Sequence, residues 1–156
     1  MSRKDLANNL TVTQLLDPDN ITTAATTNSS GLDLQFDNGA MLVVNVGASG
    51  DTLSSTVKWT YILEDSPDNA TFTAVTDSKR VTYGTVDSST GAFATVDDAA
   101  EDDAAYKIGY VGPERYVRVA VSKTGTHTNG TIHGVVGISA PIHKPDSGGN
   151  DGSPTG

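Results

Sequence analysis

The run from Tyr106 to Val121, Tyr-Lys-Ile-Gly-Tyr-Val-Gly-Pro-Glu-Arg-Tyr-Val-Arg-Val-Ala-Val, constrains the fold of this chain more than any other. Val117, Val119 and Val121 fall on one side of an extended segment, and Tyr116, Arg118 and Ser122 on the other. A strand reverses its side-chain direction at every residue, so this alternation describes a half-buried antiparallel strand. Gly112-Pro113 supplies a tight turn before it, and the run reads as two strands of a hairpin. It holds no nucleophile–base pair and no cluster of metal ligands. Its content is architectural.

The rest of the chain repeats the pattern. Leu32-Asp-Leu-Gln-Phe36 alternates without exception, and Asn38-Gly39 is hairpin-turn chemistry. Ala40–Val46 is nearly all apolar, as expected of a strand buried on both faces. After a loop at Gly47–Asp51, Val57, Trp59, Tyr61 and Leu63 form one face of a long strand, with Lys58, Thr60 and Glu64 on the other. Ser66-Pro67-Asp68-Asn69 predicts a type I turn, from which Phe72 and Val75 lead back. Lys79–Gly84 and Ala92–Val96 are weaker strands. Asp97–Ala105 has helical character over a turn or two, with Asp97 as its cap. Thr124–Gly130 is a connection, and Ile132, Val136 and Ile138 lie on a final strand reaching Pro141. Eight or nine short strands without a substantial helix predict an all-β fold, an antiparallel β-sandwich or jelly roll. An open barrel is the nearest rival.

A chain of 156 residues fits one compact domain that buries roughly 70% of its unfolded surface. Three segments are expected: an N-terminal arm over 1–30, a sandwich domain over 31–143, and a flexible C-terminal tail over 144–156 with nothing to bury. In the arm, Leu6, Leu10, Val12, Leu15 and Leu16 make a short amphipathic helix or an edge strand, and the Thr11-Val12-Thr13 alternation favours strand. These five are the expected partner-binding residues. No cysteine is present, so neither disulfides nor thiolate metal sites hold the fold.

No apolar run follows Met1-Ser-Arg-Lys-Asp-Leu6, which predicts a soluble chain made in the cytoplasm. No segment approaches the ~20 apolar residues that cross a bilayer, and no membrane partner is expected. A net charge of −9 with scattered Lys and Arg disfavours nucleic acid. The Asn-x-Thr matches at Asn9, Asn20, Asn69 and Asn129 read as chance in a chain rich in both residues.

The candidate chemical groups have simpler readings. Asp97, Asp98, Glu101, Asp102 and Asp103 lack the spacing of a calcium loop and fit a capped, solvated turn. Asp65, Asp68 and Asn69 fit turn chemistry. His127, His133 and His143 are the only histidines, and no Cys completes a zinc set. Gly47-Ala-Ser-Gly50 lacks the Lys-Ser/Thr of a phosphate loop. Trp59, Tyr61, Tyr106, Tyr110 and Tyr116 are either a sugar platform or half-buried packing, with packing favoured. The expectation is no enzyme, no cofactor and no metal.

Leu63-Glu-Asp-Ser-Pro-Asp-Asn-Ala-Thr-Phe-Thr-Ala-Val75 and Tyr106–Val119, followed by Thr124-Gly-Thr-His127 and the Ile132–Ile138 strand, carry a resemblance. So do Leu32–Phe36 and Met41–Gly47. Over roughly residues 30–142 the chain resembles small structural proteins from the head-gene region of tailed bacteriophages, especially phages and prophages of alphaproteobacteria. The resemblance implies a virion protein of the capsid decoration (cement) type, located on the capsid exterior. Such proteins are often trimers that clamp neighbouring copies of the major capsid protein against internal DNA pressure. Two other functions fit the same chain: a head–tail connector or tail component, and a carbohydrate-binding sandwich using Trp59.

Overall fold

Period-two burial produces two facing layers. The computed structural model describes residues 6–141, so the expected tail over 144–156 and His143 lie outside the described residues. Eleven strands follow in order: β1 (Thr11–Ile21), β2 (Thr26–Asn28), β3 (Leu32–Asp33), β4 (Asp37–Val46), β5 (Lys58–Ser66), β6 (Thr73–Ala74), β7 (Val81–Tyr83), β8 (Ala92–Val96), β9 (Ala104–Tyr110), β10 (Tyr116–Thr124) and β11 (Thr131–Pro141). The first sheet runs β1-β11-β4-β9-β7. The second runs β2-β10-β5-β6, with β3 also on β10 and β8 also on β5. Every pairing is antiparallel. The molecule is an antiparallel β-sandwich.

Trp59, Tyr61 and Leu63 of β5 and Val117, Val119 and Val121 of β10 face inward from the second sheet. Leu42, Val44 and Val46 of β4, Ile108 and Tyr110 of β9, and Val135 of β11 meet them from the first. Each Val, Leu or Ile so buried contributes about 1.5–3 kcal/mol relative to exposure. These are the faces the sequence alternation assigns to β5 and β10.

Three local expectations are corrected. The Tyr106–Val121 run is an arch, since β9 joins the first sheet and β10 the second. The Tyr110 hydroxyl donates to Asp65 Oδ2 on β5 at 2.8 Å, which ties the end of β9 across the sandwich before the chain turns. Asn38-Gly39 lies inside β4. The turn falls earlier, where Asp37 N–H donates to Leu34 C=O and Asp33 accepts from Gln35 N–H, and β3 pairs with β10 instead of β4. Asp97–Ala105 forms no helix, because its acids close local bends: Glu101 Oε2 accepts from Asp97 N–H and Asp98 Oδ1 from Ala100 N–H.

The arm is corrected as well. β1 pairs with β11 from Thr11↔Ser139 to Ile21↔Thr131, and β2 pairs with β10, so the sandwich begins at Thr11 and not at residue 31. A register shift between Gln14 and Leu16 bulges the strand. Through it both Leu15 and Leu16 pack against the core, where unbroken alternation would send one of them outward.

Candidate functional site

The outward face of the first sheet carries apolar side chains that nothing in the described residues covers. One row across it is Val12, Ile138, Met41 and Gly109, and the next is Gln14, Val136, Val43 and Lys107. Their neighbours along each strand, Leu42, Val44, Val135 and Ile108, are the buried ones. At the end of the sheet where β1 begins and β11 ends, Leu10, Met41, Val111, Ile138 and Ala140 line a shallow groove of about 320 Å³. No charged residue lines it. Val12 is 66% exposed, and Leu10 and Val111 are also open to solvent. Lys107 is the one charge in the two rows, and its Nζ sits 4.5 Å above the ring of the exposed Tyr83.

The five residues expected to bind a partner divide here. Leu10 and Val12 lie on this face, and Leu6 is exposed just beyond it. Leu15 is only 5% exposed and cannot dock elsewhere without opening the sandwich, while Leu16 is partly buried against the core and lines a small cleft with Ile21 and Thr27. Met41, Val43, Val136, Ile138 and Val111 are members that sequence reasoning missed. For Met41 and Val43 the signal was present in the apolar run Ala40–Val46, which fits a strand covered on both faces. The structure covers only one.

The remaining polar groups serve the fold. Trp59 Nε1 donates to Thr131 Oγ1 at 3.0 Å, and that hydroxyl donates to Ser49 Oγ at 3.0 Å. His127 and His133 flank the indole with ring centres 4.3 and 4.5 Å away. His133 Nδ1 is hydrogen-bonded to the Tyr61 hydroxyl at 3.2 Å, while His133 Nε2 and His127 Nδ1 are buried without a hydrogen bond, the latter 3.8 Å from Asp51 Oδ2. Burial, followed by the neighbouring His127, pushes the His133 pKa down to about 4. Asp51 gathers the N–H groups of Thr128, Asn129 and Gly130. These backbone donors, led by Asn129, hold its carboxyl below the usual range.

At the other end of β5, Asp65 Oδ2 accepts from Arg80 Nη1 at 2.6 Å as well as from Tyr110. The adjoining cleft of about 350 Å³ has Arg80 as its one cation, already bonded to Asp65. Three of the carboxylates of 97–103 accept backbone bonds: Asp102 Oδ2 from Ser49 N–H, Glu101 from Asp97 N–H and Asp98 from Ala100 N–H. Among the described residues no three His, Cys, Asp or Glu side chains group to hold a metal ion. Among them, too, no helix is long and apolar enough to cross a membrane. Trp59 and Tyr61 are fully buried and have no ring face to offer a sugar.

No family model matches the chain, and no curated protein matches it. Among solved structures it is similar to the crystal structure of the SPBc2 prophage-derived protein YomS. The identity is 13%, the match covers 83% of this chain and 91% of that one, and the TM-score is 0.42. A likeness that distant carries no argument about function.

Proposed function

We propose that this chain is a structural protein of a tailed-phage virion, acting by binding alone, that decorates the capsid exterior by docking the outer face of its first sheet on the major capsid protein. The observation that carries the docking role is that uncovered apolar face. Two central strands, β4 and β11, have the composition of strands buried on both sides, and a partner would supply the missing cover. Burial on a partner yields about 25 cal/mol per Å² of apolar area, before the costs of association. The acidic remainder of the surface favours solubility of the free protein. The choice of a capsid as the partner rests on the sequence resemblance of Leu63–Val75 and Tyr106–Val119. The carbohydrate-binding alternative loses its main support with the burial of Trp59.

The test is rebinding to purified particles stripped of the protein. Wild-type chain is expected to return at on the order of hundreds of copies per particle, whereas a ring at a portal closes at roughly six or twelve. Met41→Lys should lower occupancy at least ~10-fold, since a buried unpaired charge costs well over the ~1.4 kcal/mol of one decade. Arg118→Ala, on the opposite sheet, should leave occupancy unchanged. Unchanged occupancy for Met41→Lys, or a copy number of six or twelve, overturns the reading.

A further inference from the structure

β1 is the outer strand of the first sheet, and its two halves are protected very differently. From Leu15 onward the edge is closed. Leu15 C=O accepts from Ser30 N–H at 2.8 Å, and register shifts fall at Gln14/Leu16 and again at Leu16/Asp19. Asp17, Pro18 and Asp19 follow, and Asn20 N–H is turned onto Asp19 Oδ1 at 2.8 Å. Bulges, proline and charge are the devices that stop a sheet edge from recruiting another strand. Thr11–Gln14 has none of them. It pairs regularly with β11 from Thr11↔Ser139 to Gln14↔Val136. A strand paired on one side aims about half its N–H and C=O groups away, and among the described residues no backbone partner meets these.

We propose that Leu10–Gln14 pairs antiparallel with the same segment of a second copy across a two-fold axis at Val12, joining two first sheets into one. Three observations select a second copy as the occupant. The segment is self-complementary: Val12 falls opposite Val12, and Thr11 opposite Thr13, which are β-branched pairs that stabilise a ladder. No charge lies between Leu6 and Leu16, so two chains of net charge −9 meet where neither repels the other. The turn at Leu6–Asn9 and the register shift after Gln14 end the ladder before Asp17 enters it. Finally, the row Met41–Ile138–Val12 continues across the axis into its own copy, doubling one apolar face. The contact is isologous and closes as a dimer, in place of the three-fold that the sequence resemblance implies. It rests on a backbone edge and stands independently of the capsid reading.

The competing occupant is the chain's own beginning. Asn9 N–H donates to Leu6 C=O at 3.1 Å, a turn that reverses the chain immediately before this edge.

Sedimentation of the full chain with charge variants at the axis separates these cases. Wild type is expected to be a dimer. Val12→Lys and Val12→Glu, at a position already 66% exposed, should each fold and each be monomeric because like charges face across the axis. An equimolar mixture of the two should restore the dimer, with Lys opposite Glu. The Thr11–Gln14 amides should exchange roughly tenfold more slowly in the dimer than in the Val12→Lys monomer. A monomeric or trimeric wild type, or a mixture that stays monomeric, overturns the proposal. So does exchange protection that is independent of concentration and lost on removing residues 1–5. Met41→Lys should remain dimeric while losing particle binding, so failure of this inference and failure of the capsid reading are told apart.

Discussion

On the outer face of the second sheet, Arg118 and Glu64 stand opposite each other on β10 and β5 with Nε to Oε2 at 2.7 Å, and the guanidinium lies 3.9 Å over the Phe72 ring. Arg115 grips Asp33 through two bonds beside it. On the outer face of the first sheet the equivalent central positions are Met41, Val43, Val136 and Ile138, which meet no covering layer among the described residues. One face pairs its own charged groups with one another. The other leaves apolar area in water, which costs free energy that only a partner's cover recovers. On the proposed function, the difference is what marks the first sheet as the docking side.

The largest effect comes from breaking the frame that carries both faces. Asp65→Ala leaves Arg80 and the Tyr110 hydroxyl without their shared acceptor, and should cost about 3 kcal/mol in urea denaturation. Acid attacks that frame before it attacks the outer pairs. The His133 pKa lies at about 4 in the fold and near 6.5 unfolded, so the unfolded state takes up the extra proton as pH falls. Stability is therefore unaffected above about 6.5 and drops by a few kcal/mol on the way to pH 4. His133→Gln should flatten that slope. Asp33, whose carboxyl the Arg115 hydrogen bond holds low, gives up its contribution only below the ordinary carboxylate range. Denaturation curves between pH 7 and pH 2 resolve the two windows.

Smaller effects separate the faces themselves. Arg118→Ala removes the Glu64 pair and the Phe72 stack, costing about 1 kcal/mol of stability with no loss of docking. Met41→Lys should change folding stability least, by under about 0.5 kcal/mol, because its face is already in contact with water. Yet it should abolish docking. A large folding penalty at Met41 paired with intact docking would reverse the assignment of the two faces.

Much of the sandwich was legible in the sequence, because β5 and β10 alternate cleanly and each has one wet face. What was not legible depends on long-range pairing. Gly112-Pro113 reads the same in a hairpin and in an arch, and only the long-range pairing of β9 with β4 and of β10 with β5 decides between them. Leu15 and Leu16 look like a docking pair until the bulge in β1 turns both inward. The proposed docking face was half visible: Ala40–Val46 showed a strand apolar on both sides, but a sequence does not say whether the second cover belongs to the same chain. The place of His127 beside Trp59 left no local trace, since Thr124–Gly130 is a loop that Asp51, far away along the chain, holds through Thr128 and Asn129.

Oxidative footprinting of free and particle-bound protein tests the central claim most directly, because one experiment reads both faces. Met41 and Tyr83 on the first sheet should become protected on the particle, while Phe72 and Tyr116 on the second react as they do in the free chain. Protection of Phe72 and Tyr116 with Met41 unchanged would place the docking surface on the wrong sheet and contradict the account.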